Sequence, residues 1–304
     1  MSQAVRPLAP AGGEDDGEAR LGPLRPPGDT TGLFGVLRRR YLLRLLVRKE
    51  LRVRYQGTAV GLAWSYVKPL VRFLTFVLVV GYVMGLRDNL AYYPFHVFAA
   101  MIVVSFFTET LGAGTKSVVK NKSLVRKMNV PREMFPVASL LVTVYHTGPQ
   151  YLILMIACAI AGWTFSFTAV AAALLSFALL VTYSLAVGLA FSALNVWYRD
   201  FQNFVETISH LVMWSVPMIY PYVLIQNLTE GSWAEEAYLA NPIAEAVLLS
   251  ERAFWVPVLG PDDSYVMPDH LFERGLIMLA LGLLLVWGAQ RLFTRYETKF
   301  AEHL

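Results

Sequence analysis

Five titratable side chains lie inside long apolar runs, where lipid rejects a charge: Lys68 and Arg72, Glu109, and Glu206 and His210. The four-residue spacing within the first and last pairs puts each pair on one face of a helix. Groups so placed either tie packed helices together as ion pairs or relay a proton or ion. Counted from the cytoplasmic boundary at about 1.5 Å per residue, Lys68 and Glu109 reach the same depth, so they can meet. His146, close to Pro149, reads as a hydrogen-bonded packing residue. The rings of Phe73, Phe76, Phe106 and Phe107 in mid-run, with Trp64 and Tyr220 nearer the run ends, suit either packing or the apolar face of a sugar.

Other chemistry finds little support. Gly112-Ala-Gly-Thr-Lys-Ser117 has the look of a phosphate loop, but Thr115 precedes Lys116, so the required Gly-Lys-Ser/Thr is missing. Neither His-Glu-x-x-His nor Gly-x-Ser-x-Gly occurs. The one cysteine, Cys158, sits in an apolar run, which excludes a disulfide framework and a thiolate metal site. Asp262-Asp263 is the one carboxylate pair that could serve a membrane transferase acting on lipid-linked sugars. No cofactor is expected in this chain, and any energy source must be another subunit.

The elements that position these groups are membrane helices. With 304 residues, 56% hydrophobic and 16% charged, and a mean hydropathy of +0.49, the chain has more apolar surface than a soluble domain could bury. The fold class expected is an all-α integral membrane protein. Residues 1–33, rich in Pro, Gly, Asp and Glu, read as a disordered cytoplasmic tail. Residues 34–58 form an amphipathic interface helix, with Arg40, Arg44, Arg48 and Arg52 set against Leu42, Leu45, Leu46 and Val53. Residues 59–304 hold six spans, near 60–86, 95–117, 136–162, 168–197, 202–226 and 275–293, each long enough for a core of about 30 Å. Arg and Lys crowd residues 38–54 and 116–132 and return at Arg199, Arg291, Arg295 and Lys299, whereas the opposite stretches hold Arg87, Arg252 and Arg274. That bias places both termini in the cytoplasm and the protein in the plasma membrane, in contact with its lipids. Because the net charge of +4 is concentrated at these boundaries, it does not point to nucleic acid.

The loop 116–136 joins two spans and carries a short helix, with Ser123 expected as its cap and Leu124, Val125, Arg126, Lys127 and Met128 as its body. Asn129 and Pro131 end it. It serves as a positive-inside loop or as a docking knob for a soluble partner. The outer segment 227–274 is acidic, and within it Asn241-Pro242 opens a helix of about a dozen residues, too short to cross and so re-entrant or interfacial.

Several of these stretches, in order, carry a family resemblance. They are Gly61-Leu-Ala-Trp64 with Pro69, Leu124-Val-Arg-Lys127, Val130-Pro-Arg-Glu133 with Pro136, and Asn195-Val-Trp-Tyr-Arg-Asp200. Pro217-Met-Ile-Tyr-Pro221, Asn241-Pro242 and Phe300-Ala-Glu302 complete the series. From about residue 36 to the end, the chain resembles the membrane permeases of ABC-type polysaccharide exporters, which carry O-antigen, teichoic acid or cell-wall galactan. The resemblance implies a six-span homodimer working with two ATPase subunits, which hold ATP and Mg, on a lipid-linked polysaccharide. It further implies that Leu124 to Met128 is the coupling helix, Arg199-Asp200 the turn between spans four and five, and spans one and five the channel lining. Val130 stands where the family often has an aromatic, and the tail is unusually long. The excess of arginine over lysine suggests a GC-rich genome and, within the family, a galactan exporter. A multi-span transferase, or an exporter of a smaller lipid or drug, is the alternative.

Overall fold

The computed structural model describes residues 32–55, 64–88, 90–128, 130–198, 200–229, 232–260, 263, 265–298 and 300–303. The expected tail lies almost wholly outside the described residues, as do positions 61–63, Asn129, Arg199, Asp262 and Lys299. All regular structure among the described residues is helical. In chain order the helices are α1 (Gly32–Arg38), α2 (Arg40–Tyr55), α3 (Trp64–Thr75), α4 (Tyr93–Lys120), α5 (Lys122–Lys127), α6 (Met134–Ile160) and α7 (Phe167–Trp197). They continue with α8 (Phe201–Trp214), α9 (Tyr222–Thr229), α10 (Trp233–Leu239), α11 (Pro242–Phe254), α12 (Leu271–Glu297) and α13 (Phe300–His303). The chain of α3 runs on as a π-helix through Phe76–Val83.

Among the described residues, five helices are long and apolar enough to cross a membrane: Tyr66–Val83, α4, α6, α7 and α12. The fifth expected span, 202–226, is not one helix. It stops at Trp214, runs without helix through residues 215–221, and resumes in the eight-residue α9. Pro217 and Pro221 lie four residues apart in the break, and each removes an amide that a continuous helix would need. The exposed backbone finds new partners: the Tyr220 hydroxyl donates to the Trp214 carbonyl at 2.9 Å, and the Asn241 amide donates to the Ser215 carbonyl at 3.3 Å. An interrupted helix at membrane depth is tolerated under that condition.

The helix α7 is the hub, packed along α12, α4 and α11. Its contact with α4 is close because glycine meets glycine: a Cβ added at Gly114 would lie 3.2 Å from the Gly188 Cα. Backbone cannot swing aside as a flexible side chain can, so Gly114→Val should destabilise the protein by about 1–3 kcal/mol. Gly148 in α6, where an added Cβ would meet nothing within 4 Å, is the control. Gly148→Ala should leave the thermal midpoint in detergent unchanged or raised, and equal midpoints for the two variants would remove the close-approach account.

One end of the bundle gathers α1, α2, α5, α13 and the adjoining ends of α4, α6, α7 and α12 around a shared apolar core that includes Val36, Leu46, Val125, Phe135, Phe293 and Phe300. On α2 the buried face is Leu43 and Leu46, with Leu42 and Val47 beside them, whereas Leu45 and Val53, expected to be on the apolar side, are exposed. This is the basic end. The opposite, acidic end carries α10 and α11, and there the exposed Glu236 forms a two-bond pair with Arg274, both contacts at 2.8 Å, which holds its carboxyl below the usual carboxylate range.

The helix α11 starts as its residues suggest, with the Asn241 side chain accepting from the Ile243 amide at 3.0 Å and Pro242 opening the first turn. It does not lie on a surface. Nearly all of it is buried among α4, α7 and α12, fixed by the Ser176 hydroxyl on the Ala246 carbonyl at 2.6 Å and the Ser250 hydroxyl on the Ala99 carbonyl at 3.2 Å. The His96 ring stands 3.2 Å from the Glu251 carboxylate in a fully buried contact that is close enough for an ion pair but is not aligned as a hydrogen bond.

Candidate functional site

At the basic end the expected coupling helix is present as α5, six residues between two turns. Its start differs from expectation: Asn121 precedes the first turn, and the Asn121 carbonyl accepts from the Leu124 and Val125 amides, so Ser123 lies within the helix and is not its cap. Met128 is already extended and ends it. The two faces also divide differently. Val125 is buried in the core of the chain itself, so it is not free to supply the apolar contact expected of it, whereas Leu124 is half-buried against that core and keeps part of its surface open. Lys122, Ser123, Arg126 and Lys127 are the side chains that α5 turns outward, and Met128 just after it is exposed as well.

The charged residues in the apolar runs pair otherwise than their depths suggest. Glu109 does not meet Lys68: its partner is Arg54, from the end of α2. Depth along a helix says nothing of azimuth, and a guanidinium on its long stem reaches inward from the boundary. Glu206 turns away from His210 to Lys116 of α4 at 3.4 Å. Further ties join α2 to α4: Lys120 to Glu50, and Lys49 to Asn121 at 2.7 Å. Lys68 and Arg72 are exposed on α3 and His210 on α8, and none of the three has an ion-pair partner among the described residues. His146 is buried beside the Tyr145 ring, in keeping with packing.

The aromatic candidates separate into two groups. Phe106 is wholly buried and Phe107 nearly so, both inside the main core, with Phe106 edge-on to Phe177 at 6.3 Å, so these two are core residues and not a path lining. Phe73 and Phe76 are half-buried, Phe73 against Phe98 at 5.0 Å, and Tyr220 is half-buried in the break after α8. Trp64 opens α3, but its side chain lies outside the described residues. Phe106→Ala should therefore cost about 3–5 kcal/mol of stability. The same truncation at half-buried Phe73 should cost visibly less, and equal thermal midpoints would contradict this division.

The motif residues near the basic end are structural. The Arg132 guanidinium donates to the Glu297 carbonyl and lies 5.8 Å above the Phe300 ring, and buried Glu133 accepts from Gln290 at 2.8 Å. Asn195 donates to the Thr115 carbonyl at 3.1 Å, joining α7 to α4, and the Trp197 ring lies 3.9 Å from that of His303. Exposed Asp200 precedes α8 and its carbonyl accepts from the Asn203 amide at 3.0 Å; its neighbour Arg199 lies outside the described residues.

The family model for ABC-2 type transporters matches residues 41–248, more than half of the chain. The chain belongs to that family. The transporter is also similar to the O-antigen export system permease protein RfbA of Myxococcus xanthus, 27% identical over 271 residues that cover 87% of this chain and 96% of the relative. A permease of the same description from Klebsiella pneumoniae is 24% identical over 263 residues, covering 86% and 95%. Sequence reasoning missed two features of this transporter. The ties of Arg54 and Glu50 to α4 had a signal in the mixed charges at the end of α2, whereas nothing in sequence spacing could join His96 to Glu251.

Proposed function

We propose that this transporter chain is the membrane channel subunit of an ATP-driven exporter that moves a lipid-linked polysaccharide out of the cytoplasm. The observation that carries the reading is the end-to-end likeness to permeases described as O-antigen export proteins, at 87% of this chain and 96% of the relative. Cell-wall galactan and O-antigen-like glycans both fall in the substrate class, and the arginine bias favours the galactan. The energy comes from a separate ATPase subunit that holds ATP and Mg and docks on the outward side of α5. Both termini lie in the cytoplasm, since the arginines and lysines gather at the end where α2, α5 and α13 meet.

The exposed charges support a channel shared by two copies. Lys68 and Arg72 on α3, and His210 on α8, face away from the chain's own bundle, although such groups within a membrane belong on a bundle interior or a water-filled path. A second copy set against α3 and α8 supplies that interior, and half-buried Phe73, Phe76 and Tyr220 then stand near the path. Deleting the chain from its host should leave lipid-linked glycan accumulating inside, with the surface polymer lost and both restored by the intact chain. A normal surface polymer in the deletion strain would reject the reading.

A further inference from the structure

Between α2, α4 and α6, at the basic end, lies a cavity of about 390 Å³. Charges of both signs line it in a definite order of depth. Arg54, Lys116 and Lys120 stand at the rim with side chains 41%, 45% and 56% exposed. Glu109 and Glu50 lie further in, at 30% and 14%. Deeper still is Ser117, 2% exposed, whose hydroxyl has no hydrogen-bond partner. A hydroxyl in mid-helix usually bonds the carbonyl four residues back, as neighbouring Thr115 does on Leu111 at 2.7 Å. Ser117 is part of the cavity lining, and leaving its hydroxyl without that bond keeps an unpaired polar group within the cavity wall, which costs free energy unless a ligand that opens the wall meets it.

This order of charge selects a ligand class. The rim cations are already paired, Arg54 with Glu109, Lys120 with Glu50 and Lys116 with Glu206, so a simple anion or a simple cation would compete with one member of a pair and strand the other. A zwitterion with its phosphate outermost and its ammonium innermost joins these pairs with a charge of each sign and strands neither member. A phospholipid headgroup of the ethanolamine type has that polarity, because the phosphate adjoins the glycerol and the ammonium is the far end. The cavity lies beside the amphipathic α2 at one end of the long helices, where headgroups are found.

We propose that the cavity between α2, α4 and α6 binds a lipid headgroup bearing a phosphodiester and a terminal primary ammonium. The phosphate lies on Arg54, Lys116 and Lys120, and the ammonium enters toward Glu109 and Glu50 and donates to the Ser117 hydroxyl. The inference rests on the membrane setting alone and not on what is exported.

The test uses the full chain with its co-purifying subunits, placed in nanodiscs holding equal phosphatidylethanolamine and phosphatidylglycerol, and native mass spectrometry to read the retained lipid. Phosphatidylethanolamine should be retained about tenfold over phosphatidylglycerol, the scale of a charge-assisted hydrogen bond. Glu50→Gln should erase most of the preference. Ser117→Val, which leaves every ion pair in place, should reduce retention even if the Glu50 variant folds poorly. Equal retention of the two lipids, or a preference that survives both variants, would overturn the proposal. So would binding of free O-phosphoethanolamine with no lipid retained, which would make the ligand a soluble zwitterion.

Discussion

Reversing the charge at Arg126 and Lys127 together, as Arg126→Glu/Lys127→Glu, is expected to abolish export while leaving the membrane yield of the chain unchanged. A partner that closes on ATP can work on the channel only through a contact that differs between two states. Here α5 supplies a rigid contact: Val125 and half-buried Leu124 fasten it to the core shared by α2, α6, α7 and α12, and Lys122, Ser123, Arg126, Lys127 and Met128 face outward. Two charge-assisted contacts of about 1.5–3 kcal/mol each make loss of association by about a hundredfold or more the expected scale. Export, co-purification of the ATPase and membrane yield should be measured on the same preparation. Val125→Asp is the contrasting variant, since it buries a carboxylate in the core and should lower the yield itself. Normal export by the double variant with its partner still bound would place the transmission surface elsewhere.

Removing the His96 imidazole should have the largest effect on stability among changes at the acidic end. His96→Leu leaves Glu251, 1% exposed, without the ring that faces it at 3.2 Å, and stripping one member from a buried pair costs about 3–5 kcal/mol. Replacing both groups, as His96→Leu/Glu251→Met, should recover most of that loss, because an apolar pair leaves no buried polar group stranded. Thermal midpoints of the two single variants and the double variant, taken in one detergent, give the coupling directly. If the double variant is no more stable than His96→Leu, the ring holds α11 by packing on Trp255, 5.2 Å away, and not by its contact with the carboxylate.

Features written in local residue types were legible in the sequence, and features set by the angle between helices were not. Asn241-Pro242 announced the start of α11 because capping is a matter of three adjacent residues. The basic amphipathic α2, five of the six expected spans and the short helix after Lys120 came from composition and period in the same way. Phe106 and Phe107 were misplaced because the stretch of α4 that ends with them, residues 97–107, is almost wholly apolar, and a stretch without a polar stripe does not tell which face is core. The pairing of Glu109 with Lys68 failed for a related reason, since rise per residue gives depth alone. The break in the fifth span did have a signal, Pro217 and Pro221 within one apolar run, which outweighs hydropathy when the two disagree.

The wedge-like seat of α11 has a consequence for biogenesis. The helix fills a slot between α4 and α7, both made earlier, and α12, made later. From the end of α7 at Trp197 to the end of α11 at Phe254, a ribosome working at roughly 10 residues per second needs about six seconds. Throughout that interval the Ser176 hydroxyl and the Ala99 carbonyl have no partner from α11, and the slot must be held by lipid, by water or by the insertion machinery. The nascent bundle is thus obliged to stay open until its outermost loop has been synthesised, and the checkpoint for a finished subunit sits late in the chain, at a segment that crosses nothing.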